Sequence, residues 1–500
     1  MSTAPIKKHG ILRGLDSVNS SMSFEGRFGR MFRTLPKANF TDNDLILLAD
    51  KMSAKKEDNP TPETESDDEE NSGISAGYTY LGQFIDHDLT FDPESSLQKQ
   101  NDPDGLTDFR TPRFDLDNLY GRGSDDQPYL YENDGKKFIL GRPLTGSDLD
   151  THVRDVQRNS PSSGDRRAII GDPRNDENVI VSQLQAIFLR FHNAMVNQFS
   201  DGDYPFLQRL VRWHYQWVIL YDFLPTIIGK DMLNQILPHI QKNTNVLKDP
   251  PVLKFYKWRD EPFIPVEFSV AAYRFGHSMV RPLYRLNQKI ERLPIFSVDP
   301  NNSLTSFREF NPGWAIDWRL YFDFGNNPSP ASSQRIQPAY KIDSSLVNPL
   351  ANLPPTIAVN PPNLALRNLK RGVSLGLPSG QAVARKMGIP VIPDELLKVG
   401  KTNEADFKTN PTLVSLSANF RDNAPLWFYI LAEAQQQFKD NSTPIRLGPV
   451  GGRIVGEVFV GLLLGDKNSF LSQDPDFQPS AFFKKAGKFG IAELISAAIK

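Results

Sequence analysis

Within Gln83-Phe84-Ile85-Asp86-His87-Asp88 a histidine stands between two carboxylates, and both flanks are largely apolar: Tyr80-Leu81-Gly82 before, Leu89-Thr90-Phe91 after. A segment of that pattern reads as buried. Placing three titratable groups in a row inside a protein costs free energy unless each finds a partner. Any fold for this chain must therefore bring something cationic, or a covalent bond, to Asp86 and Asp88. It must also give a tuned environment to His87, one of only seven histidines.

The chain contains no cysteine. Thiolate-ligated metals, iron–sulfur clusters and a cysteine nucleophile are excluded together. So are disulfides, and nothing requires an oxidising compartment. A transition metal must be held by histidine or carboxylate, or arrive inside a cofactor. The formal net charge is -2 and the pI about 6.4, which argues against nucleic acid as the main partner. Aromatic residues make up 11% of the chain, and its 33 phenylalanines suffice for a large core. Met1 to Gly14 lacks the apolar h-region of a signal peptide, and no run approaches the roughly 18 apolar residues of a membrane span. The expectation is a soluble protein, cytoplasmic or secreted without an N-terminal signal, with no transmembrane segment.

The strongest periodicity is helical. Val181, Leu184, Ile187, Phe188, Phe191 and Met195 follow the i, i+3, i+4, i+7 spacing and predict a helix over 179–199. Helices are also predicted over 206–228, 265–286, 424–438 and 451–464, while alternating strand patterns are few and short. The fold class is mainly α. Residues 55–72 are acidic and Pro-containing and read as a solvated loop. Residues 326–338 and 348–363 read as irregular connections over the core. No internal repeat is found.

Three further motifs carry candidate chemistry, each with a bland alternative. His277, after Gly276 and within an apolar run, could ligate a metal or be a satisfied core histidine. In Asp172-Pro173-Arg174-Asn175-Asp176-Glu177-Asn178, Asp172 can cap and Pro173 suits a first helical position. Arg174 and Glu177 share a face if the turn is helical, either as a site or as a surface ion pair. Between Thr111 and Gly121 a hydroxyl, carbonyls and the carboxylates of Asp115 and Asp117 suit a hard cation such as calcium, or form an Asp-rich turn. The glycine and the missing glutamate exclude an EF-hand. His192, His214 and His239 read as packing or surface residues, and His9 and His152 stand in polar surroundings.

In order along the chain these motifs are Gln83-x-x-Asp86-His87-Asp88, the Asp-rich loop ending in Tyr120-Gly121, Gly171-Asp172-x-Arg174-x-x-Glu177, Arg274-x-Gly276-His277 and Leu366-x-Asn368-x-x-Arg371. That order resembles the animal haem peroxidase family, or peroxidase–cyclooxygenase superfamily, from about Tyr78 to about Leu471. The lack of cysteines and of a signal peptide is similar to a bacterial-type member related to myeloperoxidase and lactoperoxidase. The resemblance implies a haem peroxidase fold of the myeloperoxidase type. It divides the chain into an N-terminal extension, 1–75, and a single catalytic domain, 76–500.

The resemblance also implies roles. His277 matches the proximal ligand of haem b iron, and Asn368 its hydrogen-bond partner. Arg274 and Arg371 match arginines beside the haem propionates. His87 and Arg174 match the distal pair that cleaves hydrogen peroxide, His87 by moving a proton and Arg174 by stabilising developing charge, to leave an oxyferryl haem. Gln83 matches a distal glutamine near the iron. Asp86 and Glu177 match carboxylates that form esters with the haem. Asp88, Thr111, the carbonyl of Arg113, Asp115 and Asp117 match calcium ligands. Halides, thiocyanate or small phenols would be the donors.

Two departures stand out. Asn178 occupies the position of the haem-linked methionine of myeloperoxidase, which favours bromide, iodide and thiocyanate over chloride. Gly372-Val373-Ser374-Leu375 replaces an Asp-His-Gly type of sequence, for which there is no mechanistic account. Two rivals differ in class. In a fatty-acid dioxygenase or cyclooxygenase the radical tyrosine lies three residues before the proximal histidine. Here that residue is Arg274, and Tyr273 is turned about 100° away on a helix. A non-enzymatic, calcium-dependent adhesion protein on the same scaffold would not need His87, Arg174 and His277. The oligomeric state is open.

Overall fold

Apolar residues recurring every three to four positions make helices that must bury one face, and here they bury it against each other. A computed structural model describes residues 26–57, 61, 64–90, 107–108, 110–258, 262–325, 328–329, 332, 334–355, 357–358, 360–438 and 443–500. Met1–Gly14, and parts of the expected loops at 55–72, 326–338 and 348–363, lie outside them. The main helices are α1 (Asp42–Met52), α2 (Ala76–Leu89), α3 (Val179–Gln198), α4 (Tyr204–Val218), α5 (Leu364–Ser374), α6 (Leu426–Gln435), α7 (Pro449–Gly465) and α8 (Ile491–Ala498). Strands are short: β1 (Gly26–Gly29) pairs with Thr107–Asp108 and Ile264–Pro265, and β2 (Glu70–Ser75) with Pro338–Tyr340. The mainly α expectation holds. Among the described residues no helix is long and apolar enough to cross a membrane.

The core gathers around α2, α3 and α4. Phe84 on α2 stacks on Phe188 of α3 at 4.4 Å, and Tyr215 of α4 meets both rings edge-on. All three are fully buried. Such pairs add about 0.5–1.5 kcal/mol each beyond area burial. Behind α2, the β2 carboxylate Glu70 is gripped by the Arg335 fork (2.8 and 2.5 Å) and by Arg281 (3.0 Å), all buried. This ties the strand that leads into α2 to the second half of the chain.

The largest departure from expectation is at 265–286, where one helix was expected. The chain instead makes a π-helical turn (Glu267–Ala271), a 3-10 turn (Ala272–His277) and then a short strand (Leu283–Tyr284). The buried Glu267 carboxylate accepts the N–H groups of Met31 and Phe32, which fixes the start of the segment. Pro282 has no N–H to continue a helix. A π turn followed by a tighter 3-10 turn averages to the helical period, which is why the apolar spacing looked regular. Residues 348–363 include one short helical turn, Asn348–Ala351. The 206–228 prediction survives as α4, a π turn (Ile219–Phe223) and Leu224–Ile228.

α7 is buried on nearly all sides. Its first turn offers the N–H groups of Val450 and Gly451 to the Glu433 carboxylate of α6, at 2.9 and 3.1 Å. Gly448 is required there, because a Cβ would lie 2.4 Å from Glu433 Cγ. Burial pushes the Glu433 carboxyl from 4.5 up to about 7. The folded state thus holds this proton more tightly than the unfolded chain. The stabilisation is complete below pH 4.5 and is lost as pH rises towards and past 7. Against Glu433→Gln, the wild type should lose on the order of 1–3 kcal/mol across that window. Urea titrations at several pH values measure this, and parallel curves would mean that Glu433 ionises normally.

Candidate active site

Along the second half of α2, Gly82, Gln83 and Asp86 are half-exposed while Leu81, Phe84, Ile85, His87, Asp88 and Leu89 are buried. The exposed positions share one face by helical spacing. They form one wall of the candidate site. Gln83 Nε2 donates to Glu177 Oε1, and the same oxygen lies 3.7 Å from His87 Nε2. His87 Nδ1 is 2.6 Å from Asn175 Oδ1. Burial, and then the charge of Arg174, hold the His87 pKa below its ordinary value, so the ring is neutral at neutral pH.

Arg174 lies in a 3-10 turn, Pro173–Asp176, capped by Asp172, whose Oδ1 accepts the Arg174 N–H at 2.8 Å. The guanidinium returns to Asp172 Oδ2 at 2.7 Å and donates to the carbonyl of His87 at 2.9 Å. Asp172 is fully buried and also meets Arg110 Nη2 at 2.5 Å, while Arg110 Nη1 donates to Asp117 at 2.7 Å. Burial alone would raise the Asp172 carboxyl, but Arg174 and Arg110 outweigh it and hold it well below the carboxylate range. The proline after Asp172 and the cap explain why the chain makes this turn here.

The opposite wall is the 3-10 turn ending at His277. Burial, then Arg274, push the His277 imidazole down to about 3. The ring is nevertheless half-exposed, and a Cβ on the preceding Gly276 would meet nothing within 4 Å. Asn368 on α5 brings its amide to 2.8 Å from His277 Nδ1. Two contacts tie the walls: Arg274 Nη1 lies 3.6 Å from Asp86 Oδ2, and the Tyr273 hydroxyl donates to the Gly82 carbonyl at 3.2 Å. Arg274, expected beside haem propionates, is thus brought to Asp86. Arg371 is half-buried on α5, three residues beyond Asn368.

A third group sits behind α2. Asp88, Asp115 and Asp117 are buried and offer oxygens within 4.8 Å of one another. Neither Asp88 oxygen makes a hydrogen bond of normal geometry. Burial, then Asp115 and Asp117, push the Asp88 carboxyl far above its usual range. Thr111 Oγ1 donates to Asp115 at 2.7 Å. The Arg113 side chain turns to Asp466 at 3.9 Å.

The sequence reading brought together His87, Arg174, Gln83 and Glu177 on one wall, and His277 with Asn368 on the other. It missed Asn175 and Arg110. Asn175 follows Arg174 directly, but a turn residue has no periodicity to betray which way it faces. Asn178, the departure from myeloperoxidase, caps α3 by accepting the N–H of Ile180 at 2.8 Å.

A sequence profile described as animal haem peroxidase matches residues 97–466. This chain belongs to the animal haem peroxidase family. The match begins after the Gln83–Asp88 hexapeptide. Curated relatives include a peroxidase-like protein of Margaritifera margaritifera, 24% identical over 472 residues, covering 79% of this chain and 55% of that protein. Peroxidasin of Drosophila melanogaster is 24% identical over 329 residues, covering 63% of this chain and 19% of its own length. The chain spans about half the length of the first relative and a fifth of the second. Among solved structures, peroxidase A of Dictyostelium discoideum aligns with a TM-score of 0.59 and 17% identity, over 96% of this chain and 94% of that one. A fatty acid alpha-dioxygenase of Oryza sativa aligns at 0.54 and 15%, over 96% and 79%. At these identities the structures speak to the shared haem peroxidase fold alone.

Proposed function

We propose that the chain is a haem peroxidase that reduces hydrogen peroxide and oxidises small anions or phenols. The observation that carries this reading is a buried His87 beside a fixed Arg174, on a helix that Tyr273 and Arg274 tie to the turn ending at His277. Haem would supply the redox equivalents and the iron that binds peroxide. His277 would hold the iron; the Asn368 amide, whose Nδ2 lies 2.8 Å from Nδ1, would turn its oxygen there to accept from Nδ1–H and leave Nε2 free to ligate. Such a neutral acceptor leaves the imidazole less electron-rich than a carboxylate would.

His87 takes a proton from peroxide as general base and returns it to the departing oxygen as general acid. Its lowered pKa keeps it ready to accept that proton. Arg174 cannot move to follow the reaction, because Asp172 and the His87 carbonyl hold its guanidinium. It therefore presents a preorganised charge where negative charge develops. Glu177 stands 3.7 Å from His87 Nε2, held by Gln83, and the two would orient what binds there. Asp86 and Glu177, half-exposed on the cavity wall, are placed to form esters, which would remove their charge. The Asn178 side chain is used as a helix cap, with no sulfur for a third link. This supports bromide, iodide and thiocyanate as donors over chloride.

The Asp88, Asp115 and Asp117 cluster is proposed to hold calcium, a hard cation suited to oxygen ligands, with Thr111 and the Arg113 carbonyl completing the set. Two unsatisfied buried oxygens on Asp88 are the observation that fits a cation. By following His87 in sequence, the ion would brace the distal base.

Stopped-flow spectra with peroxide, then chloride, bromide, iodide and thiocyanate in turn, test the function. His87→Ala and Arg174→Ala should keep a Soret band yet react about 10²–10⁴-fold more slowly. Wild-type rates in both variants would refute the distal roles. Oxygen uptake with a fatty acid and no peroxide should be absent, and robust uptake would favour the dioxygenase instead. After peroxide treatment the haem should resist acidified organic extraction, and complete extraction would remove the ester assignment. A calcium chelator should lower the melting temperature of wild type far more than that of Asp88→Asn; equal shifts would empty the proposed site.

A further inference from the structure

Asn175 does more than touch His87. Its Nδ2 donates to Gln185 Oε1 on α3 at 2.8 Å. Gln185 Nε2 donates to the backbone carbonyl of Asn118 at 3.3 Å. The Asn118 side chain donates in turn to the carbonyl of Phe84 at 3.3 Å, three residues before His87 on α2. His87, Asn175, Gln185 and Asn118 are all buried. The circuit leaves α2 at His87 and returns to α2 at Phe84.

The polarity of this chain follows from one group. A backbone carbonyl can only accept. Gln185 must therefore turn its NH2 towards Asn118, which leaves its oxygen for Asn175. Asn175 must then give its NH2 to Gln185, which leaves its oxygen for His87. An amide oxygen cannot donate, so His87 Nδ1 must carry the hydrogen. In the neutral ring Nε2 is then the bare nitrogen, and Nε2 is the atom nearest Glu177, the carboxylate that Gln83 contacts.

We propose that Asn175 and Gln185 are positioning residues that set the tautomer of His87, with the Asn118 carbonyl as the fixed reference. Reversing either amide would place two donors or two acceptors face to face in a dry site, where no water repairs the mismatch. The use made of the Nε2 lone pair rests on the peroxidase reading; the tautomer itself does not.

The test is nitrogen NMR of the haem-loaded protein labelled with [15N]histidine, in the diamagnetic ferrous carbon monoxide form. Protonated Nδ1 and protonated Nε2 give distinct ring patterns, and His87→Gln identifies the signals among seven histidines. Wild type should show one Nδ1–H species. Asn175→Leu and Gln185→Leu should shift His87 to the Nε2–H form or a mixture, and slow the peroxide reaction at least about tenfold. Nε2–H in wild type, a reading that needs no variant to fold, would overturn the proposal, as would Nδ1–H persisting in both leucine variants. A wild type with Nδ1–H that ignores peroxide would leave the tautomer assignment standing and remove the peroxidase reading.

Discussion

Asp172 is the carboxylate on which the distal wall depends. It is fully buried, and Arg110 and Arg174 share it. Arg110 reaches on to Asp117 in the acidic cluster, and Arg174 reaches on to the carbonyl of His87. One line of charge therefore runs from the candidate cation site to the backbone of the candidate base. Removing one member of a buried pair leaves the other charge stranded, at a cost of about 3–5 kcal/mol. Asp88, next to His87, belongs to the same acidic cluster, so the line closes on itself through α2. These groups hold their positions jointly.

The opposite wall reaches the same end through irregular backbone. A regular helix through 265–286 would carry its side chains past the cavity at constant pitch. The 3-10 turn that follows the π turn brings Tyr273 and Arg274 to α2 and His277 to Asn368 from six residues. Glu267 anchors the start to the N–H groups of Met31 and Phe32, and Trp427 Nε1 holds the Arg274 carbonyl at 3.2 Å. Such turns forgo good hydrogen-bond geometry, and the surrounding contacts offset that loss.

Much of this was legible before the structure. Helices α3, α6 and α7 follow from apolar spacing within a few residues. His87 stood out because a titratable group in an apolar run demands an explanation, whereas Arg174 and His277 stood out through the order of the motifs that resembles the family. The irregular 265–286 segment was not legible, since mixed π and 3-10 turns preserve the period that marks an α-helix. Asn175 and Arg110 were not legible either. Their partners, His87 and Asp172, lie 88 and 62 residues away in the chain. No local pattern encodes a contact of that separation. The pairing of Arg274 with Asp86 is of the same kind.

That pairing bears on how the two walls are joined. Asp86 and Arg274 meet across the seam between the two walls, at 3.6 Å and with both side chains partly open to water. A partly exposed ion pair of that length lies at the weak end of the range, about 0–1 kcal/mol. The other contact across the seam, the Tyr273 hydroxyl on the Gly82 carbonyl, comes from a buried side chain, and each wall behind it is held by buried charge or packed rings. Of the contacts between the two walls, the Asp86–Arg274 pair is the one given up at least cost.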